Sequence, residues 1–268
     1  MFSFLHLSDL HLPPSETDTR HGVYPCRKLE DVVSSIDELE YTPSFAIITG
    51  DLSQGGTVRG YELVRRYTER LEEKGIRTML AMGNGDDRDN YRRVFPTPSS
   101  RGPIHYTEDH EHLRVIVLDS LQTGSRGGHL EGGQLEWLSD VIRDDPERPT
   151  IIALHHPTNT SSLALFDGWL FDGSQLDDFY EAISGGNVLA VLNGHLHHNQ
   201  VTTVNGVPHV QAGSTVAELS YNEEEYWTRN TSSYNQVIHR DGMLFVRTIT
   251  LPYDGRVLMK EPIKNLFG

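Results

Sequence analysis

Short apolar runs alternate with amphipathic segments along the first two thirds of the chain. Six of these runs have the length and composition of buried β-strands. They span residues 2–7, 45–49, 77–82, 112–120, 150–156 and 187–198. Between the first three runs, residues 27–40 and 57–73 carry apolar side chains close to helical spacing. This alternation of strands and helices predicts an α/β fold.

The chain after residue 198 has a different pattern. Apolar runs there flank Asn205-Gly206 and Asp241-Gly242, and Asn-Gly and Asp-Gly are dipeptides that favour tight hairpin turns. We therefore expect residues 199–268 to add β-hairpins to the α/β part of the fold. Their position and aromatic content make them candidates for a cap or for a contact between two copies of the chain.

Two segments lack a clear periodic pattern. Residues 157–176 and 214–233 are rich in Ser, Thr, Asn and acidic side chains, and they are predicted to be long irregular loops. Loops of that length often act as lids or contact surfaces. Because no segment has the composition of a linker, the sequence predicts a single domain over residues 1–268.

Metal-capable side chains follow five of the six predicted strands. The clusters are Asp9-Leu10-His11, Gly50-Asp51, Gly83-Asn84-Gly85-Asp86, His155-His156-Pro157 and Gly194-His195-Leu196-His197. Ligands of open α/β sheets bind outside the carboxyl ends of the strands. The five clusters are therefore expected to meet at one edge of the sheet. Each cluster alone has an ordinary explanation as a turn, a cap or a buried pair, but their joint position indicates a site.

The residue types in these clusters suit a metal centre. Carboxylate, amide and imidazole donors favour Zn, Fe, Mn or Co over metals that prefer thiolates. Asp9 and His11 are two residues apart, as are His195 and His197, which predicts that both members of each pair point to one side of a strand end. Seven ligands serve two ions if one carboxylate is shared, and Asp51 is the natural bridge. Two such ions are expected to hold a bridging hydroxide and to clamp phosphate oxygens.

In this order, the motifs D-x-H, G-D, G-N, H-H-P and G-H-x-H resemble the calcineurin-like metallophosphoesterases. The resemblance covers roughly residues 3–200 and is closest to the bacterial branch of class III cyclic-nucleotide phosphodiesterases and glycerophosphodiesterase-like enzymes. It implies a four-layer α-β-β-α sandwich with two facing mixed β-sheets. It also implies two divalent metal ions, drawn from Mn²⁺, Fe²⁺/Fe³⁺ or Zn²⁺. One ion would be held by Asp9, His11, Asp51 and His197, and the other by Asp51, Asn84, His155 and His195.

The third motif departs from the pattern of this family, which normally reads G-N-H followed by Asp or Glu. Here Asn84 is followed by Gly85. In the family, the histidine at that place lies outside the metal shell, binds the phosphate and assists the leaving group. Its loss is expected to slow the reaction while leaving the metals bound, since general acid–base help is typically worth about 10²–10⁴-fold.

Three explanations of Gly85 stay open at the level of the sequence. Another histidine, such as His156, His198 or His21, takes over; the substrate has a good leaving group; or the change inactivates the chain. The residues assigned to catalysis are accordingly Asp51, Asn84 and, as the replacement histidine, His156.

Charge and hydropathy limit the classes of partner. The formal net charge is −15, which argues against a general binder of nucleic acid polymers or of anionic membranes. A small phosphorylated substrate needs a locally positive site in such a protein, and a metal pair provides one. No apolar stretch approaches the length of a membrane span. The single cysteine, Cys26, is interpreted as structural, and a lone thiol suits a reducing compartment. Because the sequence also shows no signal-peptide pattern, we expect a cytoplasmic location.

The remaining candidates have mainly structural interpretations. Arg20 and Lys28 are expected on a solvated face, with contact to a substrate phosphate as the alternative. The aromatic side chains Tyr221, Tyr226, Trp227 and Tyr234 are expected in a core or a subunit contact, with a wall that stacks on a base or sugar as the alternative. The scattered histidines are expected to be structural or exposed; they are His105, His110, His112, His129, His209 and His239.

The leading functional hypothesis is a phosphodiesterase that acts on a cyclic nucleotide or a glycerophosphodiester-like molecule. The family resemblance carries the choice of a diester. A phosphomonoesterase or nucleotide pyrophosphatase with the same metals is the second hypothesis. A metal-bound ligand-binding protein with little turnover is the third, and Gly85 is the feature that supports it.

Overall fold

Strands dominate the computed structural model, which describes residues 1–97, 99–110, 113–159 and 164–266. The strands are Phe2–Leu7 (β1), Phe45–Ile48 (β2), Arg77–Leu80 (β3), Tyr106–His110 (β4), Leu113–Val117 (β5), Thr150–Ala153 (β6), Val188–Asn193 (β7), Gln200–Val204 (β8), Val207–Gln211 (β9), Glu218–Tyr221 (β10), Glu225–Arg229 (β11), Ser233–Arg240 (β12), Met243–Thr250 (β13) and Val257–Pro262 (β14). The α-helices are Pro25–Ser35 (α1), Val58–Glu73 (α2), Arg88–Arg92 (α3), Gln134–Asp144 (α4) and Leu176–Ile183 (α5). Short 3₁₀ helices lie at Ile36–Glu38, Ala164–Trp169, Gly173–Gln175 and Ile263–Leu266.

The strands form two mixed sheets and one small antiparallel sheet. The five-stranded sheet has the order β13-β12-β1-β2-β3, with β1, β2 and β3 parallel. The six-stranded sheet has the order β4-β5-β6-β7-β9-β8, with β5, β6, β7 and β9 parallel. The small sheet has the order β10-β11-β14. Parallel neighbours in both large sheets align their carboxyl ends, which is what brings the candidate site together.

Three apolar clusters separate four layers. The first lies between α1, α2 and the five-stranded sheet, and includes Val32 and Val64. The second lies between the two large sheets, where Phe4 and Ile47 meet Val115. The third packs α4 and α5 against the outer face of the six-stranded sheet. The predicted four-layer sandwich with two facing mixed sheets is therefore confirmed.

Local sequence signals explain the helices that carry the outer layers. Helix α1 begins with Pro25, a residue whose fixed φ suits the first helical position. Helix α2 begins after Thr57, whose Oγ1 accepts a hydrogen bond from the N–H of Gly60 at 3.1 Å. Both helices bury one apolar stripe, as their spacing predicts.

The two predicted hairpins are present. Chain reversal between β8 and β9 occurs at Asn205-Gly206, and between β12 and β13 at Asp241-Gly242. All four turn residues have positive φ, which is the geometry that these dipeptides favour. The second hairpin extends the five-stranded sheet directly, because β12 pairs antiparallel with β1.

Several predicted boundaries were too long, and one predicted loop was wrong. The strand expected at 77–82 ends at Leu80, and that expected at 187–198 ends at Asn193. Residues 214–233 are not an irregular loop: they contain β10 and β11. The predicted strand at 112–120 begins at Leu113 in the structure, and His112 lies outside the described residues. Of the predicted loop 157–176, residues 160–163 also lie outside them.

Within the described ranges, no helix is both long enough and apolar enough to cross a lipid bilayer.

A buried ion pair connects α3 to the six-stranded sheet. Arg88 Nε lies 2.7 Å from Asp119 Oδ2, and its Nη2 lies 2.9 Å from Oδ1. Asp119 is fully buried and also accepts hydrogen bonds from the N–H groups of Ile104 and Leu121. Because α3 follows the Asn84 loop directly, this pair fixes the loop against the second sheet.

Arg88→Met should therefore destabilise the fold, since it leaves a buried carboxylate without its cation. We expect the free energy of unfolding in urea to fall by about 3 kcal/mol. Arg59→Met is the matched control, because Arg59 is an exposed side chain at the start of α2; its effect should stay within about 0.5 kcal/mol. A loss below about 1 kcal/mol for Arg88→Met would mean that the pair does not hold the loop.

Candidate metal centre

The loops that leave five parallel strands converge between the two large sheets. Those that follow β1, β2 and β3 come from the five-stranded sheet, and those that follow β6 and β7 from the six-stranded sheet. They carry all seven predicted ligands: Asp9, His11, Asp51, Asn84, His155, His195 and His197. The expectation that the five clusters meet at one edge agrees with this geometry.

The backbone at these ligands is not an extension of the strands. Asp9, His11, Asp51, His195 and His197 have φ values of 55°, 42°, 49°, 74° and 54°. The paired residues lie in left-handed turns beyond the strand ends, so strand alternation does not set their directions. Asp9 and His11 do face the same group of donor atoms, whereas His195 and His197 belong to different groups. A non-glycine residue in this region costs on the order of 1–3 kcal/mol, and such residues cluster at functional sites.

Hydrogen bonds between loops hold this strained backbone in place. The N–H of Asp9 donates to the carbonyl of Gly50 at 3.1 Å, and that of His11 to the carbonyl of Asp51 at 2.8 Å. A Cβ at Gly83 would lie 2.3 Å from the backbone nitrogen of Asp51. The glycine that precedes Asn84 is thus required by the close approach of the second and third loops.

The first group of ligand atoms surrounds one point in space. His11 Nε2 lies 3.0 Å from His197 Nε2, 3.8 Å from Asp9 Oδ1 and 3.5 Å from Asp51 Oδ2. His197 Nε2 lies 3.2 Å from Asp9 Oδ1. Two imidazoles and two carboxylates therefore aim their donor atoms at one another.

The second group is built in the same way around the other oxygen of Asp51. His155 Nε2 lies 3.2 Å from Asn84 Oδ1, 3.1 Å from His195 Nδ1 and 3.5 Å from Asp51 Oδ1. The two oxygens of one carboxylate thus face the two groups separately. This is the geometry expected of a shared ligand.

The donor set fits cations. Asp9 Oδ1 is buried without a hydrogen-bond partner among the described residues, and histidine nitrogens from different loops face each other at hydrogen-bond distance. Buried polar atoms of native proteins are normally satisfied, and a cation would satisfy these atoms together. Burial acts to raise the pKa of Asp9, but His197 holds it well below its usual range. Burial lowers the pKa of His195 to about 3, so this imidazole is neutral, as a ligand must be.

The ligands are oriented by a further layer of hydrogen bonds. His155 Nδ1 donates to the carbonyl of Thr49 at 2.6 Å, which leaves Nε2 free to face Asn84. The second oxygen of Asp9 accepts a hydrogen bond from the N–H of His195 at 2.9 Å. The N–H of Gly85 donates to Asp51 Oδ1 at 2.7 Å. Such contacts fix the tautomer and the direction of metal ligands.

A cavity of about 350 Å³ opens onto these ligands. His11, Asp51, Asn84, His195 and His197 line one part of it, together with Arg20, His21, Gln54, Gly55 and Gly85. The rest is lined by Arg126, Trp169, Leu219, Tyr226, Thr228, Met259 and Leu266. A concave site with an apolar wall and a few convergent polar groups is typical of small-molecule binding.

Similarity to known proteins agrees with this geometry. Residues 2–199 match the family model described as calcineurin-like phosphoesterase. The chain belongs to the calcineurin-like phosphoesterase family. A relative from Rhodococcus erythropolis, named as a probable cyclic nucleotide phosphodiesterase, is 31% identical over 265 residues, which cover 97% of this chain and 86% of the relative. A Mycobacterium tuberculosis relative, named as a cAMP/cGMP dual specificity phosphodiesterase, is 30% identical over 217 residues, which cover 80% and 67%.

Among solved structures, a dimetal phosphatase from Danio rerio aligns with a TM-score of 0.64 at 14% identity, covering 93% of this chain and 98% of that one. At that identity the likeness concerns the fold alone. The resemblance to the calcineurin-like metallophosphoesterases, and with it the expectation of a hydrolase of phosphate esters, is confirmed by the family match.

One buried carboxylate organises the second and third loops of this phosphoesterase. Asp86 accepts hydrogen bonds from the N–H groups of Leu52, Ser53 and Gly83. The Tyr61 hydroxyl donates to Asp86 Oδ1 at 3.0 Å and accepts from the N–H of Asp87 at 2.7 Å. Burial, followed by the nearby charge of Asp51, raises the pKa of Asp86 to about 7. The sequence showed Asp86 in its motif but gave no sign that Tyr61 of α2 completes it.

The three histidines considered as replacements for the missing one occupy different places. His156 is fully buried and does not line the cavity; its Nδ1 accepts from Ser120 Oγ at 2.8 Å, and its Nε2 donates to the carbonyl of Arg126 at 3.1 Å. His198 Nδ1 donates to the carbonyl of Leu196 at 3.0 Å, and its Nε2 contacts Gln200. His21 alone of the three lines the cavity.

The two cationic side chains considered for phosphate binding lie in different environments. Arg20 lines the cavity and donates to Gln54 Oε1. Lys28 is only 4% exposed, and its Nζ lies 3.4 Å from the centre of the Tyr253 ring. The expectation of a solvated Lys28 was wrong, because α1 packs this side chain under the segment that follows β13.

The four aromatic side chains singled out in the sequence also lie in different environments. Tyr226 lines the cavity, whereas Tyr234 is fully buried in the first apolar cluster and contacts Ser35 Oγ at 3.0 Å. Tyr221 packs on Phe166, with ring centres 4.4 Å apart. Trp227 is not among the residues that line the cavity. Arg126, Trp169 and Thr228 do line it, although no motif in the sequence marked them.

Tyr61→Phe should weaken the loop that carries Asn84. It leaves the N–H of Asp87 without its acceptor and removes one donor from Asp86. We expect the free energy of unfolding to fall by about 1–3 kcal/mol, measured by urea denaturation. Tyr24→Phe, at an exposed ring, is the control and should change it by less than about 0.5 kcal/mol. Equal stability of the two variants would contradict the role of Tyr61.

Proposed function

We propose that this phosphoesterase hydrolyses a small phosphodiester, with a cyclic nucleotide as the leading substrate, in a reaction that depends on two divalent metal ions. The observation that carries the proposal is the pair of donor groups that share Asp51 beside the cavity. The two relatives, which match 97% and 80% of this chain and are named as a probable cyclic nucleotide phosphodiesterase and a cAMP/cGMP dual specificity phosphodiesterase, support the choice of a diester.

Two sets of residues would hold the ions. One set is Asp9, His11, Asp51 and His197; the other is Asp51, Asn84, His155 and His195. Imidazole, carboxylate and amide donors suit Mn²⁺, Fe²⁺/Fe³⁺ or Zn²⁺. When bound, such a pair activates water and offsets the negative charge that develops on the phosphate.

The residues of the chain position the substrate phosphate. Asp51 keeps both its oxygens directed at the two sets through the N–H of Gly85 and the left-handed turn. Asn84 supplies an uncharged oxygen, which limits the negative charge that the phosphate meets. Arg20 is held at the cavity by Gln54 and provides a guanidinium for a phosphate oxygen. A local cation of this kind is needed in a chain of formal net charge −15.

Proton donation to the leaving group is the weak part of the site. His156 has both ring nitrogens engaged within the protein, so we propose that it supports the neighbouring His155 and His195 rings, whose centres lie 4.9 and 4.7 Å away. His21 reaches the cavity, but burial, followed by the charge of Arg20, lowers its pKa to about 4. It is therefore neutral at pH 7. The chain is expected to favour diesters whose leaving group needs little protonation, or to turn over others slowly.

Metal-stripped protein reloaded with Mn²⁺ should bind two ions per chain, measured by elemental analysis, and hydrolyse bis-nitrophenyl phosphate. Asp51→Ala removes the shared ligand and should lower both occupancies and reduce turnover by more than about 100-fold. Asp140→Ala, at an exposed position of α4, is the control and should match the unmodified protein. Two bound ions without turnover of any phosphate ester would favour the third hypothesis, a ligand-binding protein.

The second hypothesis, a phosphomonoesterase or nucleotide pyrophosphatase, uses the same metal residues. Nitrophenyl phosphate and bis-nitrophenyl phosphate share a leaving group, so the ratio of their kcat/KM values reports the preference for monoester or diester. We expect the diester to be preferred. A preference for the monoester would overturn the proposed substrate class but would leave the proposed metal site unaffected.

Gly85→His tests whether the glycine limits the chemistry. A Cβ at this position would lie 3.1 Å from Asp51 Oδ1, so any side chain requires a small shift of the carboxylate. Gly85→Ala carries the same steric demand without the imidazole and is the matched control. With a diester that has a poor leaving group, the turnover rate of Gly85→His should exceed that of Gly85→Ala by up to ~10²-fold, the contribution that general acid catalysis supplies. Equal rates in folded variants would show that Gly85 does not limit turnover.

A further inference from the structure

The small sheet presents one face to the cavity. Leu219 of β10, Thr228 of β11 and Met259 of β14 are direct register partners, so their side chains form a row across the three strands. Tyr226 lies two residues before Thr228 and therefore on the same face. All four residues line the cavity. The Leu219 and Met259 side chains and the ring of Tyr226 thus surround the Thr228 hydroxyl.

That hydroxyl has no hydrogen-bond partner among the described residues. Thr228 is 5% exposed, and its Oγ1 accepts or donates no hydrogen bond to any residue that the structure describes. The pairing of β11 with β14 shifts register between Thr228 and Arg229. Such bulges re-aim side chains and are frequent beside binding sites. A buried hydroxyl without a partner is normally unfavourable, so its place in the cavity wall points to a partner on the ligand.

A second wall connects the row to the metal residues. Trp169 lines the cavity, and its ring centre lies 6.2 Å from that of His195. The Arg126 guanidinium lies 4.6 Å from the centre of the Trp169 ring and donates to the carbonyl of Leu266 at 2.8 Å. Arg126 therefore holds the indole and the segment after β14 together at the cavity.

We propose that the row and Trp169 form a subsite for a planar, uncharged heterocycle, the base of a nucleotide, whose polar edge bonds to the Thr228 hydroxyl. The inference rests on the proposed phosphodiesterase function and specifies its substrate class. A flat ring covers the apolar wall and satisfies the hydroxyl together. A glycerol group offers too little apolar surface to cover the partly exposed side chains of Trp169 and Met259, and would leave them in contact with water.

The test compares Thr228→Val, which keeps the shape and removes the hydroxyl, with Thr228→Ser, which keeps the hydroxyl. Thr203→Val, at an exposed position of β8, is the matched control. Two quantities are measured on Mn²⁺-loaded protein. One is the Kd of adenosine 5′-monophosphate by calorimetry. The other is kcat/KM for 3′,5′-cyclic AMP and for glycerophosphoethanolamine, which has no ring.

For Thr228→Val we expect the Kd of adenosine 5′-monophosphate to rise about fivefold, the equivalent of one lost hydrogen bond. The kcat/KM for cyclic AMP should fall by a similar factor, and that for glycerophosphoethanolamine should stay within about twofold. Thr228→Ser and Thr203→Val should match the unmodified protein. The melting temperature of Thr228→Val should not fall, because the hydroxyl makes no hydrogen bond within the part of the chain that the structure describes.

Other results separate the subsite from the activity. An unchanged Kd in Thr228→Val, or an equal loss for both substrates, would overturn the subsite whatever the turnover. A preference of the unmodified protein for glycerophosphoethanolamine would also overturn it, while the phosphodiesterase would stand. No turnover of either diester, combined with nucleotide binding that depends on the Thr228 hydroxyl, would overturn the activity and support the subsite.

Discussion

The carboxylate of Asp51 is the point on which both halves of the site depend. Its oxygens face two separate groups of donor atoms, one on each side, at 3.5 Å from the nearest imidazole nitrogen. Its backbone is left-handed and is enclosed by the approach of Gly83 and by the N–H of Gly85. A displaced Asp51 would therefore disturb both groups at once. The surrounding glycines, the Asp86 network and the ion pair at α3 all restrain the loops that determine its position.

Electrostatics sets the second constraint. The chain carries a formal net charge of −15, and its candidate site gathers three buried carboxylates, Asp9, Asp51 and Asp86. A phosphate would be repelled from such a place without cations. The donor geometry supplies positions for metal ions, and Arg20 and Arg126 line the same cavity. The proposed activity therefore requires the metals for binding as much as for chemistry.

The sequence predicted the parts of the site that depend on residue type at strand ends. All seven proposed ligands follow a buried apolar run, which is visible in one dimension, and the residues after such runs share an edge of the sheet. The local reason was wrong, since the ligands converge through left-handed turns rather than strand alternation. Long-range partners were missed for a different reason. No periodicity relates Tyr61 on α2 to Asp86, or buries Lys28 under Tyr253, because those contacts exist only after the helices pack.

The sequence was also more informative about the candidate metal ligands than about the rest of the cavity. The family model ends at residue 199, and the motifs end with it, whereas Leu219, Thr228 and Met259 lie beyond it. The polar composition of residues 214–233 favoured a loop because a short strand that alternates between a cavity and a packed face has weak apolar periodicity. In the structure this segment forms two strands whose inward face meets the cavity. The loops that carry the candidate ligands and the later small sheet thus line the same cavity, and the proposed division of roles assigns the phosphate to the loops and the rest of the substrate to the sheet.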